Sequence, residues 1–143
     1  MEIPINYIAV IVAAIAQMAL GFIWYGPLFG KQWTTLMGWS EAELKAGQEK
    51  MQKEGWKTYG LQLIGAVVMA YVLAHVSYLA LIYASSPFHA GISSAFWMWL
   101  GFIAPVMLGS VLWDGKSWKL FFLQSGYYLV GLLIMGAIIG SWF

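Results

Sequence analysis

The chain has 143 residues, 62% hydrophobic and 9% charged, with a net charge of +1 and a mean hydropathy of +0.75. Soluble domains carry about 25% charged residues, so this chain cannot clothe a globular surface in polar groups and reads as an integral membrane protein. Seven Lys nearly balance six acids, which points to no nucleic-acid partner; with no Arg and no Cys, bidentate phosphate clamps, disulfides and thiolate metal sites are excluded.

Met1-Glu2-Ile3-Pro4 has no basic n-region, and the apolar run behind it is too long for a cleavable signal. Residues 5–25, interrupted only by Asn6 and Gln17, match the roughly 20 residues that cross a bilayer core. This is the first expected span. Gly26-Pro27 should end it, because Pro lacks a donor and restricts the residue before it. Phe29, Trp33, Leu36 and Met37 then share one face of a short helix, expected to lie in the interface; the alternative is a loop with apolar anchors. Gly38 stops it, and Ser40-Glu41-Ala42-Glu43 has the form of a capping box opening a solvated helix to about Lys53.

The second span is expected over 56–83, long enough to tilt or protrude. Ser86 before Pro87 reads as a cap with Pro in the first turn. The third span, 88–113, holds Pro105, which frees the Gly101 carbonyl and predicts a kink. After the turn Asp114–Ser117 the fourth span covers 118–142. The fold class is therefore all-α membrane protein: one domain of four spans, with an interfacial and soluble helical segment over 26–55.

Every Lys lies in, or within two residues of, two loops on one side, 26–55 and 114–118. The positive-inside rule makes those loops cytoplasmic and both termini extracytoplasmic, in a plasma membrane. Trp24, Tyr25, Trp33 and Trp118 are expected as anchors in the headgroups on that side. Gly21-Phe22-Ile23 followed by Gly30-Lys31-Gln32-Trp33 echoes Gly101-Phe102-Ile103 followed by Gly115-Lys116-Ser117-Trp118, so a tandem two-helix repeat is one reading.

Small residues recur at four-residue spacing: Ala9, Ala13, Gln17, Gly21 in the first span and Gln62, Ala66, Ala70, Ala74 in the second. Gly101 and Gly109 flank Pro105, and Gly136-x-x-x-Gly140 closes the fourth span. In lipid such stripes allow close backbone approach, either within the bundle or between copies of the chain. Gln17, Gln62 and Gln124 are the amides well inside spans, at depths that could form one polar layer; plain interhelical hydrogen bonding is the alternative. His75, with Tyr78 on its face, lies within a span near its far end and is a candidate ligand there.

No catalytic set is visible. The spans lack the carboxylate of proton-coupled export, a Schiff-base Lys, and any Ser/His/Asp or H-E-x-x-H arrangement. No metal or cofactor is expected. Lipid is the expected surrounding, with further copies of the chain or other membrane subunits as partners. The leading expectation is a non-enzymatic homo-oligomer or accessory subunit. A carrier or channel for a small neutral or apolar molecule is the rival, and pigment or haem binding through His75 a weaker third.

Trp24-Tyr25-Gly26-Pro27-Leu28-Phe29-Gly30-Lys31-Gln32-Trp33 and Met37-Gly38-Trp39-Ser40-Glu41-Ala42-Glu43-Leu44 resemble the small bacterial membrane proteins of domain of unknown function family 1761. Trp99-Leu100-Gly101-Phe102, Lys119-Leu120-Phe121 and Gly126-Tyr127-Tyr128-Leu129 add to the likeness, although Gly26 stands where that family often has Ser. The resemblance implies a four-span fold in a bacterial inner membrane and no catalytic residues.

Overall fold

A computed structural model describes residues 2–143. It is all-helical, and four of its helices are long and apolar enough to cross a membrane: Tyr7–Leu28, Glu41–Ala80, Pro87–Leu112 and Trp118–Ser141. The helical elements are α1 (Tyr7–Ile23), α2 (Gly30–Met37), α3 (Glu41–Ala80), α4 (Pro87–Met98), α5 (Ala104–Met107), α6 (Gly109–Leu112) and α7 (Trp118–Ser141). Their starts follow local chemistry. Asn6, Ser40, Ser86 and Ser117 each accept a backbone N–H from the first turn they precede. Gly38 ends α2 in the left-handed conformation at φ 70°.

Large apolar side chains such as Ile8, Ile15, Phe22, Ile64 and Val106 face outward, while the core is built from Ala9, Ala13, Ala14, Ala66, Ala70 and Ala74 around Leu73, Leu132 and Met135. The four-residue stripes of spans one and two are thus the packing seam, as their spacing predicts. α7 packs against α1, α3 and α4, and α3 packs against α1 and α4. The bundle is held by close backbone approach rather than by apolar burial, as expected in lipid.

Three features differ from the sequence expectation. First, α3 does not divide into a soluble helix and a span: it is one rod of 40 residues, roughly 60 Å at 1.5 Å per residue. Gly47, Gly55 and Gly60 lie within it, and glycine lowers helix propensity without forcing a break. Second, span one does not stop at Gly26-Pro27. It passes through a π turn, Trp24–Leu28, in which the Phe29 N–H donates to the Trp24 carbonyl at 2.9 Å. Gly26 leaves the helical region there (φ −107°, ψ −108°), and the chain re-enters α2.

Third, span three, Pro87–Leu112, is not one uninterrupted α-helix. Pro105 cannot bond back to Gly101, and the chain absorbs this in a second π turn, Trp99–Ile103, closed by Ala104 N–H to the Trp99 carbonyl. Both π turns begin Trp-x-Gly: Trp24-Tyr25-Gly26 and Trp99-Leu100-Gly101. The structural echo between spans one and three therefore falls on this register, not on the Gly-Phe-Ile register that the sequence suggests.

Candidate functional site

The two π-turn tryptophans are tied to α7. The Trp24 indole N–H donates to the Leu123 carbonyl at 3.0 Å, and that of Trp99 to the Ser125 carbonyl at 2.8 Å. Both spans are latched to α7 two residues apart. Further along α7 the close approaches are made by glycine. Gly131 abuts the Gln17 side chain, Gly136 is in backbone contact with Gly91, and Gly140 meets Pro87 and Phe88. A β-carbon at any of these three would collide with its neighbour.

Gly136 and Gly140 are thus consumed inside the chain, buried against α4, and cannot serve as a homodimer face. Their partner, Gly91 with Ala95 one turn on, is itself a small-residue pair that was readable from spacing. Gly101 and Gly109 contribute no such packing. A β-carbon on Gly101 would meet nothing within 4 Å, and one on Gly109 only Trp113 of its own segment, at 3.7 Å.

The three amides do not converge. Gln17 is buried at 1% exposure, with neither amide atom hydrogen-bonded. Gln62 lines a groove beside α1, and Gln124 lines a different cavity with Ser110, Trp113 and Asp114. At the opposite end, His75 directs Nδ1 to the carbonyl of Tyr71, its own helix neighbour, at 2.9 Å. Its ring packs on Tyr71 with centroids 4.4 Å apart, while Tyr78 packs on Phe143 at 6.2 Å. Among the described residues, no group of three or more His, Cys, Asp or Glu is placed to hold a metal.

The groove beside Gln62 is the concave feature with convergent chemistry. It encloses about 460 Å³, within the roughly 300–1,000 Å³ of small-molecule sites. Met18, Gly21, Phe22 and Tyr25 come from span one, Trp33 from α2, Thr58, Tyr59 and Gln62 from α3, and Tyr127 and Tyr128 from α7. Gly21 is the residue that lets α7 close the back wall, since a β-carbon there would stand 3.0 Å from the Tyr127 hydroxyl. That hydroxyl donates to the Gln17 carbonyl at 3.1 Å. The π turn swings Tyr25 inward, where it packs edge-on against Trp33 (4.9 Å) and Tyr127 (5.2 Å).

Of the four tryptophans and tyrosines expected as anchors, Tyr25 and Trp33 line this corner and Trp24 packs behind it on Tyr127. Trp118, 53% exposed, remains outward. The groove itself was not legible in the sequence, because its walls come from four segments spread over residues 18–128. One signal was present: the Gly126-Tyr127-Tyr128 run lies opposite Trp24-Tyr25-Gly26 once the two helices are taken as antiparallel.

Neither the curated proteins nor the solved structures yield a match to the chain. The family described as protein of unknown function (DUF1761) matches residues 8–140, which span all four helices and the groove, and the chain belongs to that family.

Proposed function

We propose that the protein is a non-enzymatic, multi-pass protein of a bacterial inner membrane that binds a small molecule in the tyrosine-rich groove and acts as its carrier. One observation supports this reading above the others: a cavity of about 460 Å³ in which Gln62 and the rings of Phe22, Tyr25, Trp33, Tyr59, Tyr127 and Tyr128 meet. An apolar concavity with a few polar groups is the ordinary form of a ligand site. The test is native mass spectrometry of protein released from lipid nanodiscs. A small non-protein mass should accompany the native chain and be lost from a Tyr128→Ala/Gln62→Leu variant. Protein that retains no such mass, and whose melting no lipid extract alters, would sink the proposal.

We place the loops 26–55 and 114–118 in the cytoplasm and both termini outside, on the strength of the seven-to-none distribution of Lys. The chain has no Cys, so single cysteines at Lys45 and Ser85 can be labelled from one side without background. Labelling of both from the same side would refute the orientation.

A second reading, accessory subunit of a larger assembly, draws on α3. Over residues 41–54 every residue but Leu44 is exposed, and Met51 is the one that lines the groove, so most of this length of helix projects beyond the bundle. Crosslinking along this segment in intact membranes should capture another subunit if that reading holds; a chain that crosslinks to nothing counts against it.

A further inference from the structure

We propose that the groove receives a quaternary ammonium group, carried on a zwitterionic amphiphile or solute. The inference rests on the ligand-binding reading above and narrows it to a chemical class. Shape is the first reason. Tyr25 meets Trp33 at 61° and Tyr127 at 64°, and Tyr127 meets Tyr128 at 60°. Successive rings turn corners, so the lining is a cup; a flat aromatic ligand needs two near-parallel faces forming a slot. A tetraalkylammonium group is rounded and can set methyls against several rings at once.

Charge is the second reason. No residue lining the groove is ionised at neutral pH. With no carboxylate present, a primary ammonium or a metal ion would exchange its hydration for neutral hydroxyl and amide oxygens alone, with no counter-charge. A quaternary ammonium has no N–H groups to leave unpaired, and the ring quadrupoles attract it directly. No lysine stands in the lining itself to oppose it at contact distance.

The third reason is what surrounds the cup. The groove lies at the lysine-rich end of the bundle, beside the break at Gly26-Pro27. The Tyr127 hydroxyl is committed to Gln17, but the Tyr59 and Tyr128 hydroxyls and the Gln62 amide have no partner among the described residues. These are donors for the phosphate or carboxylate that balances the cation in a zwitterion. Such a group could come from a phosphocholine lipid or from a free betaine, and the chemistry of the site is the same for both.

The experiment measures thermal melting of the full chain in a maltoside detergent. It compares a short-chain phosphatidylcholine, the matching phosphatidylethanolamine, glycine betaine and a total lipid extract. Phosphatidylcholine should raise the melting temperature saturably, with the ethanolamine at least tenfold weaker. Tyr25→Leu should weaken the response about three- to thirtyfold, the range for one ring on a cation, and Tyr25→Phe should restore it. Tyr128→Leu serves as a second probe if Tyr25→Leu does not fold. Stabilisation by betaine assigns a free solute as source, and stabilisation by phosphatidylcholine alone assigns the lipid; either supports the proposal. Equal responses to choline and ethanolamine, or an unchanged response in both ring variants, overturn it. If lipid extract alone stabilises the native chain, the ligand class falls and the binding site stands; if nothing does, both fall.

Discussion

The Asn6 side-chain amide donates to the carbonyl of Trp142 at 3.1 Å, joining residues 136 positions apart. The same side chain accepts from the N–H groups of Ile8 and Ala9, each at 3.1 Å. One residue thus caps α1 and satisfies a carbonyl left free where α7 ends. Asn6→Ala removes both roles. A lost N-cap costs about 0.5–2 kcal/mol and a lost hydrogen bond about 0.5–1.5. We expect a lower melting temperature together with faster amide exchange in the last turn of α7. A drop in stability with unchanged exchange there would show that the tie to Trp142 contributes nothing.

Gly136→Leu should be severe. Its β-carbon would enter the Gly91 backbone, which cannot rotate away as a side chain could. The cost should reach or exceed the roughly 1–3 kcal/mol typical of overpacking. Gly101→Leu is the matched control, because nothing lies within 4 Å of that position. Reversible unfolding in mixed micelles measures both. Equal effects at the two glycines would contradict the packing described here.

Gln17→Met should stabilise the protein. The amide is fully buried without a partner, and an unsatisfied polar group costs about 1–3 kcal/mol, while Met conserves volume. A raised melting temperature is the expected result. A fall of more than about 1 kcal/mol would mean that the amide has a partner and contributes to stability.

Trp24→Phe and Trp99→Phe keep a ring in place but delete the indole donor to Leu123 or Ser125. Each should cost about 0.5–1.5 kcal/mol. The change at Trp24, whose ring packs on the groove residue Tyr127 at 6.3 Å, should also weaken binding in the groove, while the change at Trp99 should not. Binding and melting measured on the same samples separate the two effects.

How much of this was legible beforehand differs residue by residue. The spans and the seam of Ala9, Ala13, Ala66 and Ala70 follow from hydropathy and from four-residue spacing, because both are local along one helix. The partner of a glycine stripe is not local. Gly136 and Gly140 look alike whether they meet another chain or Gly91 and Pro87. The contacts of Trp24 and Tyr25 with α7 are hidden for a related reason: aromatics at the end of an apolar run read as headgroup anchors, and their ring partner Tyr127 lies about a hundred residues away in the chain. The continuity of α3 was hidden by the change from charged to apolar composition near Trp56, which marks a change of solvent and not of backbone.

That continuity joins the groove to the water phase mechanically. Tyr59 and Gln62 form part of the groove wall at the middle of α3, and about 20 residues, roughly 30 Å, extend from there to Glu41. No hinge interrupts them. A 10° change in tilt about the groove would sweep the Glu41 end through about 5 Å at that length. The helix is thus one unbroken arm, carrying part of the groove wall at its middle and its charged end about 30 Å away.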